Sequence, residues 1–355
     1  PYVDFKANKQ SSPFTYNDLR TIYVNIKANV DTVLKCLHYF EQKPEWYKTK
    51  VQGQMTEHLS DLSEMKAGNV DTWIRFANSF KLRMAMHIVK VDRPMAKEWA
   101  EEAVRDGVIE STDDEIGLRP MTLAISHPLV EITNTWGDSR LSASFESLLK
   151  SLNHPYADYV FEKNNSAFVN KKTGETTPAN TRIVGMREGV TPGIGQASGS
   201  NPYIGCSKLQ PRPFGANKPP MYLMKISEVD FLRAEGHLYG WDMGGSESFF
   251  YNRGLDNAYF EDRSRKSSST YVTRLEEYKN LEEPVSYTYV DPQGIVDDMP
   301  SVTQIGVKWN EGDSPEVKLE KIITQKYIAA YPYSYEPWVD MRLSLIHISE
   351  PTRHA

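Results

Sequence analysis

Lys318–Arg342, KLEKIITQKYIAAYPYSYEPWVDMR, constrains the fold more than any other stretch of the chain. Leu319, Ile322, Ile323 and Tyr327 fall at i, i+3, i+4 and i+8, so they form one apolar stripe along a helix. Lys318, Glu320, Lys321 and Lys326 are then expected on the remaining, solvated surface. Pro332 stops the helix, because proline cannot donate the next backbone bond. Tyr331, Tyr333, Tyr335 and Trp338 follow as an aromatic corner that closes on Trp338-Val339-Asp340-Met341-Arg342, with Trp338 expected to pack inward. The stretch contains no nucleophile or metal-ligand pattern. It predicts a helix that docks an aromatic corner onto a core.

A chain of 355 residues is long enough to bury about three quarters of its unfolded surface. Its net charge of −6 comes without a basic stripe, which argues against a nucleic-acid partner. The 20 Tyr, 13 Phe and 7 Trp suit either stacking surfaces or a large core with wet tyrosine edges. Cys36 and Cys206 are too few for a disulfide scaffold, and sequence leaves open whether they pair. No apolar run reaches the roughly 18 residues that a membrane-spanning helix needs. The chain starts at Pro1 without the basic and apolar regions of a signal peptide, which is expected to lie outside it. Leu343–Ala355, LSLIHISEPTRHA, reads as a translated sequencing-library adapter, a non-native tail with no defined role in the fold.

Pro1–Pro13 is polar and turn-like. Leu19, Ile22, Tyr23, Ile26, Val30, Val33, Leu34 and Leu37 recur with helical spacing, predicting a helix from near Tyr16-Asn17-Asp18 toward Pro44. Pro44 and Trp46-Tyr47 mark a turn, followed by a less regular segment to Gly68-Asn69. A helix over Asp71–Ile88 follows, with Asp71 as N-cap or first-turn acid. Trp73, Phe76, Ala77, Phe80, Met84 and Ile88 lie on its broad apolar face. Pro94 opens another helix that ends near Asp106-Gly107, glycine serving the C-terminal turn. Gly117–Met221 is rich in turn residues and reads as helix only at Phe145–Leu152. Helix returns at Ile226–Trp241, with Ser227 as N-cap, Glu228 in the first turn and Gly240 at the end. Ser264–Pro300 is a second polar, loop-rich insertion carrying Tyr271, Tyr278, Tyr287 and Tyr289. The helix–turn–helix pairs predict stacked hairpins of the tetratricopeptide kind, although no clean repeat of about 34 residues is present.

Catalytic patterns are absent from the sequence: it has no H-E-x-x-H, C-x-x-C or G-x-S-x-G. His87, His154 and His237 are scattered, as structural histidines usually are. Gly193-Ile194-Gly195 follows Pro192 and precedes no clear helix, so it reads as a loop. Asp113-Asp114 and Asp297-Asp298 read as solvated loop charges, since a glycosidase acid pair is defined by spatial separation. Arg233 and Glu235, set in an apolar helix, read as ion-pairing groups that hold helices together. A sugar site needs flat aromatic faces flanked by hydroxyl-binding polar groups, and loops on a rigid scaffold are its usual place. Two stretches offer that mixture: Trp136, Asp138 and Arg140 within Asn134–Arg140, and Tyr287 and Tyr289 with Trp309. The competing reading is that Trp136 and Trp309 plug loops onto helices, in which case both should be fully buried.

Three stretches, in order, resemble the SusD/RagB-type outer-membrane lipoproteins. The first is Trp73-Ile74-Arg75-Phe76-Ala77-Asn78-Ser79-Phe80-Lys81-Leu82-Arg83-Met84-Ala85, where Phe80 stands for a usual Leu and, beyond it, His87 for a usual Arg. The second is Ser227-Glu228-Val229 with Phe231-Leu232 and Ala234-Glu235, then Gly240-Trp241 and Tyr251-Asn252-Arg253-Gly254. The third is Lys321, Ile322, Gln325, Lys326, Tyr327, Ile328 and Ala329 leading to Glu336, Trp338 and Arg342. The departure at His87 puts in doubt any ion pair at that position. The resemblance implies a mainly α fold, a degenerate tetratricopeptide-like scaffold with a large loop-rich irregular region. Residues 1–342 are then one SusD-like domain cut at both ends, with scaffold mainly at 14–107, 226–260 and 315–342. Its insertions fall at 117–221 and 262–312. Trp73, Asn78, Glu235, Lys326, Trp338 and Arg342 carry the structural motifs. The family's role implies an outer-membrane, cell-surface, lipid-anchored protein without cofactor, metal or catalysis. It would capture an oligosaccharide and deliver it to a SusC-like TonB-dependent transporter. Its membrane contact would run only through an N-terminal lipid anchor outside this chain. A peptide ligand, as in RagB-type members, a helical-repeat scaffold without a ligand, and a glycoside hydrolase with an acid pair not visible in the sequence are the alternatives.

Overall fold

The computed structural model describes residues 16–57, 69–118, 128–189, 203–210, 221–258, 268–333 and 335–344. Helix dominates: α1 (Leu19–Glu41), α2 (Glu45–Glu57), α3 (Val70–Ile88), α4 (Arg93–Arg105), α5 (Ala143–Ser151), α6 (Ile226–Leu238), α7 (Glu247–Asn257), α8 (Ser269–Lys279), α9 (Pro315–Ala329) and α10 (Tyr335–Ser344). The strands are short: β1 (Ile116–Leu118) pairs with β4 (Met221–Met224), β2 (Phe168–Val169) with β3 (Thr176–Thr177), and β5 (Thr288–Tyr289) with β6 (Met299–Pro300). The mainly α expectation is borne out. The chain forms two compact units, one of Pro1–Leu118, Tyr222–Gly254 and Lys326–Ala355, the other of Arg119–Met221 and Leu255–Gln325.

The first unit is built around α3, which packs against α1, α4 and α6. Asn69 caps it by accepting from Thr72 N, and Asp71 sits in the first turn, where a carboxylate favours the positive helix end. The predicted apolar face is only part of the contact. Trp73 and Phe76 are half-buried and stand edge-to-face at 5.9 Å, whereas Asn78, Ser79 and Lys81 are fully buried. Each of these three side chains finds a partner through at least one atom. Asn78 Nδ2 donates to the carbonyls of Asp106 and Gly107, and Ser79 Oγ accepts from Ile109 N. Lys81 Nζ lies 3.0 Å from both Asp31 and Glu102, and Lys27 completes the square at 2.8 and 3.1 Å. Gly107 takes φ +98°, the left-handed turn that the C-terminal end of α4 requires.

Several expectations need correction. The segment after Pro44 is helical as α2, hidden by weak apolar periodicity, and part of the second insertion is helical as α8, hidden by its polar composition. Ser227 does not cap α6. It is buried inside the helix, and the Glu115 carboxylate accepts from Ile226 N instead. Lys318, Lys321 and Lys326 are buried, because acids and carbonyls outside their own helix receive their ammonium groups. The residues expected as an aromatic turn form α10. Trp338 is 52% exposed, correcting its inward placement, and the Arg342 guanidinium lies 4.8 Å above its ring. Leu343 and Ser344 continue α10, while the rest of the presumed tail, Pro1–Pro13 and the Gly193–Gly195 loop lie outside the described residues. Cys36 and Cys206 are both free thiols, the first exposed and the second buried.

The second unit has fewer helices and a small core in which Phe168, Val184, Tyr203 and Cys206 pack with Met186. Its loops are held largely by buried side chains. Asp291 accepts from Ile295 N and Val296 N, and Asn164 receives the backbone amides of Thr181 and Arg182. Burial pushes the Cys206 thiol up to about 12, so it behaves as a packed apolar group.

Candidate functional site

Trp136 ends a short helical passage in the second unit, Pro128–Val130 followed by a π-helical turn over Glu131–Thr135. Trp136 N donates to Glu131 O at 3.0 Å and Asp138 N to Ile132 O at 3.0 Å. Gly137 supplies the φ of +72° that turns the chain outward. Arg140 then locks the loop: its guanidinium donates to the carbonyls of Gly137, Ser139 and Ile204 over 2.7–3.2 Å. Thr133 and Ser139 share a hydroxyl bond of 2.6 Å. The outcome is a rigid platform from which Trp136 projects 63% exposed, with Asp138 exposed beside it. Isolated π-turns of this kind recur at functional sites. Arg140 acts as the brace of the platform, its donors directed into the loop.

Tyr287, Tyr289 and Trp309 are placed differently. Strand alternation turns Tyr289 inward, fully buried, with its hydroxyl donating to Gly185 O at 2.9 Å. Tyr287 donates to Glu146 Oε1 at 2.5 Å, and Glu146 Oε2 accepts from Gly185 N at 2.5 Å. Burial raises the Glu146 carboxyl, while the hydrogen bonds from Tyr287 and Gly185 and the charge of Arg182 act in the opposite direction. The two tyrosines therefore converge on one buried polar centre. Trp309 is half-buried beneath the Lys318 ammonium, 5.3 Å from its ring. Sequence reading passed over Glu146. The available signal was a lone acid in the apolar run Phe145-Glu146-Ser147-Leu148-Leu149.

In the first unit a cavity of about 590 Å³ is lined by Arg83, Lys225, Glu228, Lys326, Tyr333 and Glu336, among others. Its charges are already matched. Arg83 grips Glu228 with two bonds of 2.6 and 2.8 Å, Lys225 donates to Ala329 O, and Lys326 pairs with Asp340 at 2.7 Å. A polar ligand there would have to displace internal pairs.

The motif residues Glu235 and Lys326 stand close enough for their charges to interact. Burial pushes the Glu235 carboxyl up to about 7 against the attraction of Lys326, and Tyr239 donates to it at 3.2 Å. Arg233 belongs to a separate contact, an ion pair with Glu110 at 2.9 Å. His87 has two acids within reach: its Nε2 lies 3.2 Å from Asp340 and 3.5 Å from Glu336. Among the described residues no group of His, Cys, Asp and Glu is arranged to hold a metal, and no helix is long and apolar enough to cross a membrane.

A family model described as SusD-like, SusD and RagB outer membrane lipoprotein, matches residues 1–344. Among solved structures, a chitin-binding SusD homologue from Flavobacterium johnsoniae is 29% identical with a TM-score of 0.74, covering 94% of this chain and 62% of its own. A SusD homologue from Bacteroides thetaiotaomicron is 28% identical with a TM-score of 0.70, covering 93% and 61%. Another from Bacteroides ovatus is 27% identical with a TM-score of 0.70, covering 92% and 61%. The chain thus spans about three fifths of the length of these relatives. No curated protein matches it.

Proposed function

Because the chain belongs to the SusD/RagB outer membrane lipoprotein family, we propose that it is a lipid-anchored, cell-surface protein that captures an oligosaccharide and passes it to a SusC-like TonB-dependent transporter. The observation that carries the ligand class is Trp136, a large indole face held out to solvent on a loop braced by Arg140. Such a face suits the C–H side of a pyranose, and the exposed Asp138 carboxylate can accept from sugar hydroxyls. Pre-bracing lowers the ordering cost of binding. A chitin-binding relative of the same family supports a glycan as the ligand. The exposure of Trp136 also favours a binding face; full burial of Trp136 and Trp309 would have favoured the ligand-free scaffold reading. Binding here calls on stacking and hydrogen bonds and on no bond-breaking step.

Calorimetric titration with chito-oligosaccharides, malto-oligosaccharides and a peptide mixture tests the proposal. Glycan binding that weakens at least tenfold in Trp136→Ala, roughly 1.4 kcal/mol or more, with unchanged thermal stability, is expected. Binding of peptides alone, or a glycan affinity indifferent to Trp136→Ala, overturns it.

A further inference from the structure

The second unit holds another cavity, of about 230 Å³, whose lining shares no residue with the Trp136 loop or with Tyr287, Tyr289 and Trp309. Its walls come from three separated stretches: Pro155–Tyr159, Gln210 and the start of α8. The base is aromatic and fixed. Tyr156 and Tyr271 are 5% and 8% exposed, with centroids 6.5 Å apart and rings near perpendicular. Tyr159 leans on Tyr156 at 4.9 Å and is itself only half-buried. Gln210 Nε2 donates to the carbonyls of Asp158 and Phe161, which holds its amide in one orientation.

The rim carries opposite charges. Asp158 has a 61% exposed side chain, in a long ion pair of 3.9 Å with Lys150. Arg274 lies one turn from Thr270 and Tyr271 on the same face of α8, is exposed, and forms no ion pair among the described residues. A guanidinium only donates and a carboxylate only accepts. Each also repels a ligand of its own sign. The combination suits a neutral group rich in hydroxyls, which both donate and accept, with an apolar face to lay on a tyrosine ring. The volume lies below the roughly 300–1,000 Å³ of sites for drug-sized ligands, which limits the occupant to about one ring.

We propose that this cavity is a second subsite that takes a single neutral pyranose unit, with Tyr159 as stacking face and Asp158 and Arg274 as hydroxyl partners. The inference rests on the glycan-binding reading above for its ligand class.

The full chain, with Trp136→Ala, Tyr159→Ala and Arg274→Ala variants, is titrated with N-acetylglucosamine, methyl glucoside, glucuronate and glucosamine by saturation-transfer NMR. A chito-oligosaccharide is titrated in parallel by calorimetry. Thermal unfolding checks that each variant folds. The expected result is that one or both neutral monosaccharides bind and that Tyr159→Ala and Arg274→Ala each weaken this at least tenfold. No neutral monosaccharide binding, binding indifferent to both cavity variants, or a preference for glucuronate or glucosamine overturns the subsite. If Trp136→Ala abolishes oligosaccharide binding while the cavity variants change nothing, the subsite falls and the Trp136 reading stands. If only the cavity variants lose binding, the Trp136 reading falls and the subsite stands.

Discussion

The Lys326 ammonium lies 2.7 Å from the Asp340 carboxylate, and their side chains are only 2% and 8% exposed. This pair joins the end of α9 to α10. His87 of α3 reaches Asp340 at 3.2 Å, and Glu235 of α6 stands close enough to Lys326 for their charges to interact. Burial alone would raise the Asp340 carboxyl; the charges and bonds of Lys326 and His87 hold it well below the usual carboxylate range. The family's closing motif is therefore a buried charge cluster contributed by four helices.

Removing one partner leaves the other buried without its main counter-charge. Lys326→Met and Asp340→Leu are each expected to cost about 3–5 kcal/mol, and the double variant less than the sum. Urea unfolding of the four proteins measures this. Strict additivity would show that the two groups do not act as a pair.

Glu235 makes stability pH-dependent. Its folded pKa of about 7 exceeds the unfolded value near 4.3. The folded chain then binds the proton more tightly, so this contribution is full below about pH 4.3 and is lost as pH rises through 7. The loss is on the order of 3 kcal/mol. Glu235→Gln should flatten the decline in stability between pH 5 and 7.5, read as the difference in unfolding free energy from the unmodified protein. Parallel curves would remove the assignment. The window stays above pH 5 because Asp340, with its lowered pKa, acts in the opposite sense in acid.

Gly254, the last residue of Tyr251-Asn252-Arg253-Gly254, has a packing reason. A Cβ there would lie 2.8 and 2.9 Å from Phe231 ring carbons. Gly254→Ala should destabilise by about 1–3 kcal/mol, although alanine by itself favours a helix by about 1 kcal/mol. Adding Phe231→Leu should recover part of the loss in thermal unfolding. A stabilised Gly254→Ala protein would mean that the ring moves freely.

Asn78 closes the C-terminal turn after α4 through its two bonds to Asp106 O and Gly107 O. Asn78→Ala should cost about 1–3 kcal/mol. Asn78→Asp, which replaces the donor with an acceptor, should cost at least as much. Hydrogen exchange of α4 is the direct readout, and unchanged protection there would refute the role.

Helices with strong apolar spacing and clear ends were legible, and α1, α3, α4, α6 and α9 all lie where periodicity, Pro94, Gly107 and Gly240 put them. The weakly periodic α2 and α10 were not, because their sequences carry little one-sided apolar signal, and α8 was hidden by its polar composition. At the candidate site, residue types suggested Trp136, Asp138 and Arg140. Only the fold distinguishes the exposed indole from the arginine that braces its loop. Tyr287 and Tyr289 looked equivalent to Trp136 on paper, yet they meet Glu146 and Gly185 in a buried centre.

By itself, then, the sequence determined helix content, most helix ends and the family motifs, since these depend on local spacing and backbone chemistry. Tertiary structure decided which polar side chains are buried. Lys318, Lys321 and Lys326 read as a solvated face until acids and carbonyls elsewhere in the chain arrive beside them. A lysine's burial depends on whether a distant partner offsets its desolvation. For Lys326 that partner is Asp340 on the next helix, which holds the ammonium inside while Trp338, two residues before Asp340, faces out.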